Sequence, residues 1–177
     1  TNLNLFGATG SYVLKFDGGA GSSLIGANAT PVTLTPGIGA KLVLNTAPAA
    51  DVGNGVILPQ QPVVALVDSS SNPVAQAGVQ VTATIGTGAP ALSGTLTVNT
   101  NGAGVASFTN LRITGVPGTR TLSFLGNGLI GVTSGPVVVS AGPARTIALN
   151  GGNNQTAVVG HAVPVVPSVL VTDTTGN

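Results

Sequence analysis

Charged side chains are nearly missing from this chain of 177 residues. Only Lys15, Lys41, Arg112, Arg120 and Arg145 stand against Asp17, Asp51, Asp68 and Asp173, and there is no glutamate. Five scattered cations and a net charge of +1 cannot form the clustered basic face that a nucleic acid demands, so that class of partner is excluded. Soluble domains usually carry about 25% charged residues, whereas this one carries 5%. A surface made of Thr, Ser, Asn and small apolar groups repels its neighbours weakly. It fits an extracellular β-protein with a hydroxyl-rich exterior, or one whose surface packs against other subunits.

Cysteine and methionine are absent, which removes a disulfide framework, a thiolate metal site and a cysteine nucleophile. The single histidine, His161, allows neither a His-based metal cluster nor a Ser-His-Asp triad within one chain. No apolar run approaches the length of about 18 residues of a membrane helix. Alternating strands could suggest an outer-membrane barrel, but 3% aromatic residues, with no Trp and one Tyr, leave nothing for the interfacial girdles. The chain is not expected to lie in a membrane. Helical spacing of apolar residues is not sustained anywhere, because Gly or Pro interrupts every long window.

What is present is repetition. Residues 1–16 and 109–124 align without a gap at an offset of 108: Leu3/Leu111, Leu5/Ile113, Leu14/Leu122 and Phe16/Phe124 stay apolar while intervening positions vary. That period of two predicts two strands separated by a Gly-x-x-Gly turn. Three extra loop residues between Asp17 and Ser23 then shorten the offset to 105, from Leu24-Ile25-Gly26 against Leu129-Ile130-Gly131 onward. Pro31 and Pro136 each lead into a strand. Leu42 and Leu44 correspond to Ile147 and Leu149. A Pro-marked lead-in (Pro59, Pro62; Pro164, Pro167) then feeds a strand with Val64 and Leu66, or Val169 and Val171, facing inward. Asp68 and Asp173 close those strands, with Asn72 and Asn177 following.

Residues 73–108 occur once. Val79, Val81, Ala83 and Ile85 alternate with polar residues, Leu96 and Val98 suggest a short strand, and Asn101-Gly102 marks a turn. Ala106 and Phe108 begin a strand expected to bend near Thr109-Asn110 and continue through Leu111 and Ile113. The fold class is therefore all-β. The pattern is that of tandem immunoglobulin-like β-sandwiches, with one complete unit over residues 38–141. Residues 1–37 read as the closing strands of a preceding unit and residues 142–177 as the opening strands of a following one. The short, Pro-containing links Thr35-Pro-Gly-Ile-Gly39 and Ala141-Gly-Pro-Ala144 should restrict bending. The abrupt ends suggest a piece of something longer.

Chemistry is sparse. Asp68 and Asp173 recur, and two readings stay open for them. Each is an Asx-turn residue accepting backbone N–H bonds, or a calcium ligand near a junction, although calcium takes about six to eight oxygens. His161 matches Val56 and sits at a tolerant position. Lys15 and Lys41 lie opposite the apolar face, which disfavours an isopeptide crosslink. Gly18-Gly19 and Gly151-Gly152 lack the Lys and helix of a phosphate loop. Asn28-Ala-Thr30 and Asn154-Gln-Thr156 match the glycosylation acceptor pattern. No catalytic or cofactor-binding residue is indicated, and no cofactor is expected.

Several motifs in fixed order carry a resemblance. Gly151-Gly-Asn-Asn-Gln155-Thr-Ala-Val-Val-Gly160, the Pro-x-x-Pro lead-in, Asp68-Ser-Ser-Ser-Asn-Pro-Val74, Ala77-Gly-Val79 and Thr100-Asn-Gly-Ala-Gly104-Val-Ala resemble the bacterial Ig-like repeats of invasin/intimin type. Ser69-Ser-Ser71 departs from the usual Gly before Asn-Pro-Val. The resemblance implies a bacterial protein outside the cell or on its surface, a non-enzymatic segment of a filament, sheath or stalk. The alternative is a spacer or binding module of an adhesin, presenting a tip to a receptor or carbohydrate. The apolar faces of both end segments suggest self-association with copies of the same chain, head to tail by strand complementation.

Overall fold

The two offsets read from the sequence reappear as hydrogen-bond registers in the computed structural model, which describes residues 3–20, 25–86 and 91–177. Lys41–Thr46 pairs antiparallel with Val63–Val67, Leu42 opposite Leu66 and Leu44 opposite Val64. Thr146–Gly151 pairs with Ser168–Thr172 in the equivalent register, Ile147 opposite Val171 and Leu149 opposite Val169. Even the irregularity recurs, between Leu44 and Thr46 in one pair and between Leu149 and Gly151 in the other. The offset of 108 holds in the same way. Gly118–Arg120 pairs with Val137–Ser140, and Gly10–Tyr12 pairs with Val32–Leu34 one repeat earlier. Equal pairing from unequal sequence is what period-two patterning enforces, since a slip of one residue would turn the apolar side outward. Leu24, at which the offset changes, lies outside the described residues, as do residues 21–23 of the loop before it.

All described residues are strand, turn or irregular, with no helix among them. The larger sheet orders Thr97–Asn99, Gln80–Ile85, Leu122–Gly126 and Val132–Thr133. A second orders Val105–Ser107, Val63–Val67 and Lys41–Thr46. A third joins Gly118–Arg120, Val137–Ser140 and Asp51–Gly53, the last pair parallel. The buried hydrophobic cluster runs from Leu42 to Val139 in sequence and links these sheets through Val64, Val81, Leu111, Ile113, Leu122 and Phe124. Phe108 and Phe124 meet at its centre with ring centroids 5.4 Å apart and planes tilted by 51°, a geometry that aromatic quadrupoles favour. Within residues 38–141 the core positions expected from alternation are buried or packed against this cluster, Leu44, Val79 and Ile85 being of the second kind, whereas Val169 and Val171, also expected to face inward, are more than half exposed. Ala65 and Val67 are buried as well, because Val63–Val67 is the middle strand of its sheet.

Two expectations are corrected. The strand foreseen over residues 3–5 does not form; the first strand is Gly10–Tyr12. Residues 111–113, which match residues 3–5, run into the strand Arg112–Thr114, held by pairing with Ala91–Ser93, an element that occurs once and has no equivalent beside residues 3–5. The strand through Ala106, Phe108 and Ile113 is not continuous either. Val105–Ser107 pairs with Val63–Val67, while Arg112–Thr114 belongs to another sheet, so the chain crosses between sheets at residues 108–111.

Among the described residues, the end segments carry no member of the buried cluster. Leu3, Phe16, Ile147, Leu149, Val169 and Val171 are all more than half exposed.

Candidate functional site: the aspartate clasps

A strand that ends in Asp-x-x-x-Asn folds back on itself, because the carboxylate can satisfy N–H groups that the turn leaves free. Asp68 N donates to the Asn72 carbonyl at 2.9 Å, and Asn72 N donates to Asp68 Oδ1 at 2.8 Å. Asp173 and Asn177 repeat both bonds, at 2.9 and 3.1 Å. The turn needs a left-handed residue just before the Asn. Gly176 supplies it with φ 84°, whereas Ser71 adopts φ 70° without glycine's freedom.

Each turn also reaches across a junction. Gly37 N donates to Asp68 Oδ2 at 2.9 Å, and Gly142 N donates to Asp173 Oδ2 at 2.8 Å. Each glycine thus ties a link to a turn 31 residues later. Asn72 goes further into the preceding segment, donating through Nδ2 to the Gly7 carbonyl at 2.9 Å and accepting from Thr9 N at 3.0 Å. Asn177 Nδ2 reaches the corresponding Gly115 carbonyl at 3.3 Å. The second half of that grip is impossible there: the residue matching Thr9 is Pro117, which has no N–H. Asn54 takes over. Its Oδ1 accepts from Gly115 N at 2.8 Å, and its Nδ2 donates to Asp173 Oδ2 at 2.9 Å and to Thr175 Oγ1.

The electrostatics follow from this geometry. Asp68, Asn72, Asn54 and Asp173 are all buried, and a buried carboxylate persists only where donors surround it. The Asn72 amide and the Gly37 N–H hold the Asp68 carboxyl at about 2, below its ordinary 3.8. The Asn54 amide and the Gly142 N–H depress Asp173 still further. Oxygens that already face convergent N–H dipoles are poor ligands for a cation, so the geometry favours the turn reading of Asp68 and Asp173 over the calcium reading. No group of three or more His, Asp or Glu side chains comes together among the described residues.

Other singled-out residues are dispersed. His161 is exposed in a turn, its N–H donating to Val158 O at 3.0 Å. Lys15 is exposed, and Lys41 Nζ reaches only the Ser69 carbonyl at 3.4 Å. Asn28 and Asn154 are exposed. Shallow clefts adjoin both junctions; one is lined by Asn54, Pro143 and Arg145, the other by Leu5, Phe6 and Gly37, and neither lining contains a carboxylate or histidine. Sequence reasoning found Asp68 and Asp173 but missed Asn54, Gly7 and Gly115. Their one signal was that Gly7 and Gly115 match across the repeat.

Sheets packed on one aliphatic-aromatic core, bonded to the flanking segments by a recurring carboxylate clasp, define an immunoglobulin-like β-sandwich. Residues 37–139, more than half of the chain, match the family model described as SMCHD1 Ig-like domain 6, and the chain belongs to that family of Ig-like domains. Among solved structures, a glycosyl hydrolase family 2 member from Bacteroides cellulosilyticus is similar at 15% identity and a TM-score of 0.46. The match covers 72% of this chain and 17% of that one, so this chain spans less than a fifth of its length. No curated protein matches.

Proposed function

We propose that this chain is a non-enzymatic structural segment of an extracellular, cell-surface repeat protein of the bacterial invasin/intimin type, part of a filament, sheath or stalk. The observation that carries the reading is the clasp itself. Asp68 and Asp173 bind the link glycines Gly37 and Gly142 through the same oxygen and at nearly the same distance. A joint built twice on the same Asp-to-glycine bond, even though its other contacts differ, restrains the orientation of one unit against the next, which a stalk or filament needs. Sparse charge adds to this, because it lets such units lie close together. An adhesin spacer would use the same rigid joint; it differs in having no need of contacts between copies.

Small-angle scattering of the 177-residue chain and of a variant with Asp68→Ala and Asp173→Ala tests the reading. The native chain should fit one narrow distribution of end-to-end distances, and the variant should broaden it while far-ultraviolet circular dichroism shows the central sandwich still folded. A native chain that already scatters as freely jointed segments overturns it.

A further inference from the structure

Two tight turns of the central sandwich share one sequence pattern and one shape. Gly53-Asn54-Gly55-Val56 closes with Val56 N donating to Gly53 O at 3.0 Å, and Gly126-Asn127-Gly128-Leu129 closes with Leu129 N donating to Gly126 O at 3.1 Å. The glycine after the asparagine is left-handed in both, at φ 73° and 71°, a conformation that a β-carbon opposes. The turn thus calls for an Asn-Gly pair, which is chemically labile, because glycine leaves its nitrogen sterically free to reach the preceding side-chain amide carbon. Only the surroundings differ. Asn127 is exposed, whereas Asn54 is 2% exposed. Asn54 Oδ1 accepts from Gly115 N at 2.8 Å, and its Nδ2 donates to Asp173 Oδ2 at 2.9 Å and to Thr175 Oγ1. The nitrogen that would attack is engaged as well, since Gly55 N donates to Ile113 O at 2.8 Å.

We propose that Asn54 is a deamidation site held inactive by the closed second clasp, so that a joint left open is altered covalently and does not close again. In the reaction Gly55 N gives up its proton and bonds to Asn54 Cγ, while the Cγ–Nδ2 bond breaks and Nδ2 leaves as ammonia with that proton. Water then opens the cyclic imide at either carbonyl, leaving aspartate or its β-linked isomer at position 54. Neither product fits the closed joint. Aspartate places an acceptor where Nδ2 had donated to Asp173 Oδ2 at 2.9 Å, and two carboxylates so close cannot both stay ionised. The β-linked isomer lengthens the main chain within a turn whose nitrogens are bonded on both sides, Asn54 N to Ser140 O at 2.9 Å and Gly55 N to Ile113 O at 2.8 Å. One repeat later Val159 precedes Gly160 where Asn54 precedes Gly55, so the lability belongs to this joint and is no general property of the repeat.

Peptide mapping by mass spectrometry of the folded chain, incubated at mildly alkaline pH, tests this with Asn127 as a clock in the same molecule. Asn127 should convert while Asn54 lags it by about tenfold or more, the difference between an exposed site and one that must first open. In Asp173→Ala the lag should largely disappear. The milder Thr175→Ala, which removes a single hydroxyl acceptor, should shorten it partway. Conversion of Asn127 should keep its native rate in both variants, which reports that the sandwich around it is intact. Asn54→Asp should speed proteolysis of residues 142–177 at neutral pH, and Asn127→Asp should not. A native chain in which Asn54 converts as fast as Asn127, a lag that persists in both clasp variants, or an Asn54→Asp chain as resistant as the native one overturns the proposal.

Discussion

Phe124 has no exposed surface and shares the centre of the core with Phe108. Truncating it removes a ring from a site that neighbouring strands hold open, so Phe124→Ala should cost about 3–5 kcal/mol in urea unfolding. Thr82 is half-buried with its hydroxyl 3.2 Å from Thr97 Oγ1 at the exposed side of the sheet, and Thr82→Ala should cost roughly 0.5 kcal/mol or less. Equal costs would mean the register is wrong. Ser71 is the opposite case, a residue whose replacement should help. Its φ of 70° is one that a β-carbon opposes, and the matching residue is glycine. Ser71→Gly should stabilise by about 0.5–1 kcal/mol, the strain relieved less the freedom that glycine gains when unfolded. The clasp carboxylates make a third residue-level test. Their oxygens face Asn72 and Gly37, or Asn54 and Gly142, and a cation would have to displace those donors. Millimolar calcium should therefore leave the melting temperature where it was; a rise of several degrees would assign Asp68 and Asp173 to a calcium site instead.

At the scale of elements, the strands were legible wherever both partners of a pair recur, because two aligned copies report which positions stay apolar. They were illegible where pairing alone decides the outcome. Leu3 and Leu5 alternate as well as Leu111 and Ile113 do, yet only the later pair has Ala91–Ser93 beside it and becomes a strand. Alternation states which face is apolar, whereas the ladder depends on a neighbour that may be more than 20 residues away in sequence, as Leu92 is from Ile113. The clasp divides the same way. Asp and Asn four residues apart announce a turn, but Gly115 and Asn54 reach that turn from 62 and 119 residues away. The two junctions also differ in tightness, which sequence repetition conceals. A β-carbon on Gly37 would meet Asp68 at an ordinary 3.6 Å, but one on Gly142 would sit 2.5 Å from the Asn54 carbonyl. Gly37→Ala should be tolerated, while Gly142→Ala should loosen residues 142–177 and speed their proteolysis. Comparable cleavage of both variants would mean that Asn54 does not close the second junction.

For the molecule as a whole, the core and the joints differ in kind, and acid should separate them. The buried cluster is entirely hydrophobic and has nothing to protonate. The joints depend on carboxylates whose folded-state values lie below the ordinary 3.8, at about 2 for Asp68 and lower for Asp173. A depressed acid stabilises the folded arrangement at pH values above 3.8, and that contribution is lost as pH falls through the folded value. Protonation also changes what the oxygen can do: a neutral carboxyl accepts more weakly from the Gly37 or Gly142 N–H, and its own proton needs a new acceptor in a site made of donors. Acidification from pH 3.8 toward 2 should thus release the first junction before the second, with scattering dimensions increasing while far-ultraviolet circular dichroism of the sandwich holds. The variant Asp68→Ala should begin in the loosened state and show only the later step. If dimensions and β-structure change together in the native chain, the joints are part of one cooperative unit with the core, and the clasps do not act as separate fasteners.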